Sequence, residues 1–167
     1  MTVTQVQKDV ENLTMTITTE LDASVSRAWQ MWEDPRQLEQ WWGPPTYPAT
    51  FLEHDLTPGA LASYFMTGPE GEQFRGWWRI LAVEAPNRLE FEDGFADDSG
   101  KPDPAMPISI IGVQLAEQSD RVTRMTIETR FSSIASMEKL IAMGMQEGMV
   151  AAVGQLDDLL KDLSAQQ

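Results

Sequence analysis

The sequence has no cysteine, one histidine and only 12 basic residues against 26 acidic ones, and each shortage removes a class of function. Without cysteine there is no disulfide framework, no thiolate nucleophile and no sulfur ligand for a metal. A net charge of -14 repels phosphate backbones and anionic headgroups, so neither nucleic acid nor a membrane surface is an expected partner. One histidine and no His-x-x-x-His spacing leave only carboxylates for a metal, and no calcium-loop spacing is present. No Gly-rich phosphate cradle and no Gly-x-Ser-x-Gly elbow occur, so no cofactor is expected. Long apolar runs are missing too. The longest, around Ile108 to Val113, is far too short to span a bilayer, and the start, MTVTQVQKDV, lacks the apolar core of a signal peptide. A cytoplasmic protein is the expectation, and 167 residues suffice for one domain with one hydrophobic core.

What is present is ordered by its periodicity. LTMTITTEL (13–21) alternates Leu13, Met15, Ile17 and Leu21 with threonines, the pattern of a half-buried strand. Asp22 or Ser24 can cap a helix carrying Val25, Ala28, Trp29 and Trp32 on one face. Asp34 before Pro35 predicts a break and a second short helix bearing Leu38, Trp41 and Trp42, stopped by Gly43 and the prolines. Strands are then expected at about 49–56, 60–67, 73–84 and 88–93. Within 73–84, Phe74, Trp78 and Ile80 share one parity while Leu81 and Val83 take the other, which predicts a bulge near Arg79. Residues 94–107 read as a long loop of the kind that often forms a functional lid. Two more strands follow, the second placing Met125, Ile127, Thr129 and Phe131 inward.

From Ser136 to Leu163 one apolar stripe recurs at a period near 3.6, with Gly144 and Gly148 lying on it. Glycine inside a helix costs about 1 kcal/mol relative to alanine. Either the helix passes close to a sheet there or space is left for something else, and Gly144 can also mark a kink. The order of strand, two short helices, six strands and a long helix predicts an antiparallel sheet covered by its C-terminal helix, with a gap at one splayed end.

The motifs WEDPRQLEQWWGP, DLTPG, MTGPEGE, APNRLEFEDGF, MPISI and GMQEGMVAAVGQLDDLL, in that order, resemble the family of homologues of the activator of the heat-shock-protein-ninety ATPase, within the START-like or SRPBCC superfamily. The resemblance implies an α+β helix-grip fold over residues 13–163, with 1–12 a flexible N-terminal tail and 164–167 a C-terminal tail. It implies a seven-stranded antiparallel sheet wrapped around a long C-terminal helix, two short helices after the first strand, and a deep apolar cavity. In that family the DLTPG turn is usually followed by a second glycine and an aromatic residue, and a tryptophan sits in the last helix. Here Ala60, Ala62 and Met149 hold those positions, which implies a roomier and more adaptable pocket.

Ligand-binding candidates are Tyr64, Met66, Trp78, Phe91, Ile111, Val113, Met145, Gly148 and Met149, with Trp41, Trp42 and Phe95 at the cavity entrance. Trp41 and Trp42 carry two readings, plugs for the core end or a gate over the cavity. His54 stands between Glu53 and Asp55, but strand neighbours point to opposite faces, so it reads as a strand-end residue and not as a general base. Glu90 and Glu92 fall opposite Leu89 and Phe91 and read as a solvated face. The expected function is binding of a hydrophobic or aromatic small molecule, with no catalytic residue assigned. The alternatives are a cyclase, dehydratase or hydrolase acting on a polyketide-like substrate, which would need Tyr64 or His54 inside the cavity, and a stress-related chaperone partner. An exposed edge strand would permit a homodimer.

Overall fold

The structure, a computed structural model, describes residues 3–165. Its strands are β1 (Val3–Asp9), β2 (Thr14–Leu21), β3 (Ala49–Glu53), β4 (Leu61–Thr67), β5 (Gln73–Glu84), β6 (Arg88–Phe95), β7 (Ser109–Ser119) and β8 (Val122–Arg130). They form one antiparallel sheet in the order β1-β2-β8-β7-β6-β5-β4-β3. Helices α1 (Val25–Glu33) and α2 (Pro35–Leu38) bridge β2 to β3, and α3 (Ile134–Ala142), α4 (Met145–Gly154) and α5 (Leu156–Ala165) end the chain. No helix among the described residues is long and apolar enough to cross a membrane.

The expected seven strands are eight. The additional one is β1, inside the segment expected to be a tail; it is polar enough to read as unstructured, yet it pairs with β2 from Val3 to Asp9 and packs Val6 beside Met15 and Ile17. At the other end α5 runs on to Ala165, and residues 166–167 of the expected C-terminal tail, like 1–2 of the N-terminal one, lie outside the described residues.

Alternation sets the sheet's two faces as expected. Met15, Ile17, Thr19 and Leu21 of β2 and Thr123, Met125, Ile127 and Thr129 of β8 are buried. Glu90 and Glu92 take the outer face, where Arg130 bonds Glu90 at 2.9 Å and Arg79 lies 3.8 Å from Glu92. The bulge in β5 falls between Ile80 and Ala82, two residues beyond the expected Arg79; the extra residue, Leu81, turns outward and Val83 returns to the core. Phe74, expected inside by parity, is 55 % exposed.

The single long C-terminal helix is in fact three segments. Gly144 caps α4 in the left-handed region at φ 90°, where a side chain would be strained, so the stripe breaks there. A second break falls at Gln155, whose side-chain amide donates to the carbonyl oxygens of Gly43 at 2.7 Å and Trp41 at 3.3 Å. This amide fixes the α4–α5 junction to the turn carrying the tryptophan pair.

The break at Asp34 occurs as the sequence predicts: its carboxylate accepts the Arg36 N–H at 2.9 Å and Pro35 opens α2. The helix ends at Leu38, however, and Trp41 and Trp42 lie in the turn beyond it, both N–H groups bonded back to the Leu38 carbonyl. Gly43 is required by close approach, since a Cβ there would stand 2.0 Å from the Tyr47 carbonyl oxygen. From α2 and its C-cap, side chains reach the outermost strand at the far edge: Glu39, the C-cap, accepts the Phe51 N–H at 2.7 Å and Arg36 donates to the Phe51 carbonyl at 2.9 Å.

Beneath α1 and α2 lies an aromatic core. Trp78 and Phe91 stack at 4.0 Å, Trp32 meets Trp41 edge-on at 4.7 Å, and Trp42 meets Trp78 edge-on at 5.0 Å. Offset and edge-on pairs of this kind add about 0.5–1.5 kcal/mol each beyond the area they bury.

Candidate ligand cavity

Where β4, β5 and β6 splay from α3 and α4, a cavity of about 290 Å³ remains. Its sheet wall is built from Tyr64, Met66, Gly76, Asp93 and Phe95, with Ser109 of β7 and Pro107 behind it. Its helix wall is Leu140, Met145, Gly148, Met149 and Ala152, and Trp41 and Trp42 line it from the α2 turn. Phe74 and Met143, each 55 % exposed, stand where the cavity meets solvent.

Five of the nine expected ligand-binding residues meet here: Tyr64, Met66, Met145, Gly148 and Met149. Trp78, Phe91, Ile111 and Val113 do not line it. They share the inward face, but they lie fully buried where α1 and the aromatic core fill the space between the layers. The three expected entrance residues all line the cavity, yet Trp41 and Trp42 are buried walls of it and not its rim. The two rings are held differently. Trp41 donates its indole N–H to the Met31 carbonyl at 2.9 Å, whereas the Trp42 indole nitrogen is buried and has no hydrogen-bond partner among the described residues.

Gly148 resolves its own ambiguity, because nothing lies within 4 Å of where its Cβ would be; space is left there and the backbone is not pressed against the sheet. Gly76 is the opposite case. A Cβ on it would stand 2.5 Å from the Tyr64 hydroxyl, so the bare backbone of β5 is what lets the tyrosine ring cross to β6. There its hydroxyl donates to Asp93 Oδ1 at 3.1 Å.

Asp93 is the functional candidate that sequence reasoning missed. Its signal was parity: it continues the inward series Leu89, Phe91 but sits among acidic neighbours that do face water. Burial pushes its carboxyl up to about 7, against the opposing pull of the Tyr64 hydroxyl and the Trp78 indole. Burial and the neighbouring Asp93 carboxylate together hold the Tyr64 phenol well above its ordinary range. The indoles of Trp42 and Trp78 lie alongside and ease that shift, but neither N–H forms a hydrogen bond of normal geometry. The cavity is therefore apolar with one polar end, the arrangement that orients a small ligand.

His54 is not in the cavity. It lies just past β3, its Nε2 2.8 Å from the Trp32 carbonyl oxygen and its ring edge-on to Phe51 and Trp78, and burial lowers its pKa. The expected loop of 94–107 begins later than predicted, because β6 runs on through Gly94 and Phe95, which line the cavity; the remainder lines a separate recess of about 350 Å³ with Ser99, Gly100 and Pro102, beside Trp77 and Arg79, and of it Pro107 near its end reaches the cavity. No group of three or more metal-ligating side chains occurs among the described residues.

An antiparallel sheet closed by C-terminal helices over an apolar cavity fits the helix-grip class. The chain belongs to the activator of Hsp90 ATPase homolog 1-like family, whose sequence pattern matches residues 22–161. Among solved structures, a protein from Arthrobacter aurescens is 50% identical over 96% of this chain and 93% of its own, with a TM-score of 0.93. Protein Ms6760 from Mycobacterium smegmatis is 45% identical over 95% of this chain and 96% of its own, with a TM-score of 0.87. DynU16, a protein in the dynemicin biosynthetic locus, shares the fold at 20% identity and a TM-score of 0.58, over 86% of this chain and 47% of its own. No match is found among curated proteins.

Proposed function

We propose that this chain binds a hydrophobic or aromatic small molecule in the cavity between β4–β6 and α3–α4. The observation that carries this reading is the cavity's division of labour, an apolar lining interrupted at one end by the Tyr64–Asp93 pair. Methionines on the helix wall adapt to irregular shapes, and the polar end orients what they hold. Native mass spectrometry of the purified protein and thermal shift against two-ring aromatic compounds test it. A bound mass, or a Tm that rises with ligand concentration as mass action requires, supports the reading, and indifference to every compound refutes it. Replacing Met149 with tryptophan fills the cavity from the helix side and abolishes the shift.

One observation favours a second reading, an enzyme acting on a polyketide-like substrate. A carboxyl titrating at about 7 inside the cavity is matched to general acid–base work. Turnover of an aromatic β-ketone that is lost in Asp93→Asn, with binding retained, would select this reading over simple carriage.

A further inference from the structure

The donors at the polar end of the cavity are already turned onto its own acceptors. The Tyr64 hydroxyl donates to Asp93 Oδ1, the Trp42 indole lies against that hydroxyl, and the Trp78 indole lies against the Asp93 carboxyl. What remains is an acceptor. Asp93 is only half-buried, and its Oδ2 has no hydrogen bond among the described residues but, unlike the Trp42 and Trp78 indole nitrogens, is not sealed from solvent. Its register partner across the ladder is Ser109, which lines the same cavity and whose hydroxyl can also accept. No cation compensates this carboxylate. Arg75 is the one basic residue of the lining, and its guanidinium lies on the outer face of the sheet, 5.3 Å over the Phe65 ring and donating to Gln73 at 3.2 Å. Nor is a metal ion matched, since no group of three ligating side chains occurs among the described residues.

Resting on the binding reading above, we infer that the cavity selects a protonated amine carried on an apolar or aromatic body, the ammonium donating to Asp93 Oδ2 and to the Ser109 hydroxyl. An anion would meet Asp93 as a like charge, and a hydroxyl would donate once and leave that charge uncompensated. An ammonium supplies three donors and the missing charge together. The walls add aromatic rings, Trp42 and Phe95 among them, of the kind that attract a cation, and a net charge of -14 draws cations toward the protein as a whole. Tyr64 is a positioning residue that holds the carboxylate in place. The charged or titratable groups lining the cavity are Tyr64 of β4, Arg75 of β5 and Asp93 of β6; β7 contributes Ser109, and α3 and α4 contribute only apolar residues and glycine. Ionisation of Asp93 therefore governs the pH dependence. An alkyl amine stays protonated through neutrality, so its affinity rises with pH as the carboxylate forms around pH 7 and falls as the carboxyl protonates below it.

The test compares 2-naphthylmethylamine, 2-naphthalenemethanol and 2-naphthoate, alike in ring and close in size, by isothermal titration and thermal shift on the intact chain, on either side of pH 7. On the alkaline side the amine binds about tenfold more tightly than the alcohol, and the carboxylate binds weakest. On the acid side the ratio of amine to alcohol shrinks severalfold, a wild-type profile that reads the contact without any variant. Asp93→Asn, which keeps the volume and an acceptor for Tyr64, brings the ratio near one and removes its pH dependence. Equal affinity for amine and alcohol, or tighter binding of the carboxylate, overturns this inference and leaves the binding reading intact. A preference for the amine that survives Asp93→Asn also overturns it, since attraction to the acidic surface then suffices, and failure of all three probes to bind overturns both readings.

Discussion

The two walls of the cavity are made by different means. The sheet wall is set by register and by rings in mutual contact: Tyr64 reaches Asp93 only because its neighbour across the ladder is Gly76, and Trp78 beneath is clamped between Phe91 and Trp42. The helix wall is leucine, methionine, glycine and alanine on a stripe broken at Gly144 and Gln155. Rings in a ladder have few alternative positions, and methionine has many. Under the proposed binding function, orientation of a ligand therefore belongs to the sheet, and tolerance of its shape to the helices.

The largest effect that would break this contrast is in the aromatic layer. Trp78→Ala removes a fully buried ring and should destabilise by about 3–5 kcal/mol in urea titration. A loss below about 1 kcal/mol would mean that the sheet wall is as plastic as the helix wall.

Asp93→Asn comes next and depends on pH. A carboxyl raised from 3.8 to about 7 binds more protons in the folded state, so wild-type stability falls as pH rises between those values. The variant escapes this. It should exceed wild type by on the order of 2 kcal/mol above pH 7, less than the full shift implies because the carboxyl faces a cavity, and match it near pH 4. Chemical denaturation at the two pH values reads the difference directly.

The smallest effects sharpen the helix side. Gly144→Ala places a side chain at φ 90° and should cost about 1 kcal/mol, whereas Gly148→Ala enters open space within α4 and should gain about 1 kcal/mol of helix propensity. Opposite signs in paired melting curves would show that one glycine shapes the backbone and the other leaves room.

Which face each residue takes was legible in the sequence, because alternation and helical period encode it. Depth along a strand was not. Trp78, Phe91, Ile111 and Val113 share the inward face with Tyr64, but whether an inward residue meets packed rings or open space depends on where the layers part, a property of the whole assembly. Asp93 was obscured for a related reason: in a run of acidic residues only parity distinguishes it from Glu90 and Glu92, and composition argues the other way. The β1 strand escaped notice because a strand at a sheet's edge needs few apolar residues. The kink at Gly144 was readable from its residue type, but the break at Gln155 was not, since it is tied to carbonyls more than a hundred residues away.

The side chains of Arg36 and Glu39 that grip Phe51 also have a consequence for solubility. An edge strand is a template on which another chain can continue the sheet, and here the backbone donor and acceptor at Phe51 are already matched by a guanidinium and a carboxylate that imitate a neighbouring strand. A peptide adding to that edge would have to displace both. The short helix that frames the tryptophans thereby also works as a guard against sheet extension and fibril growth.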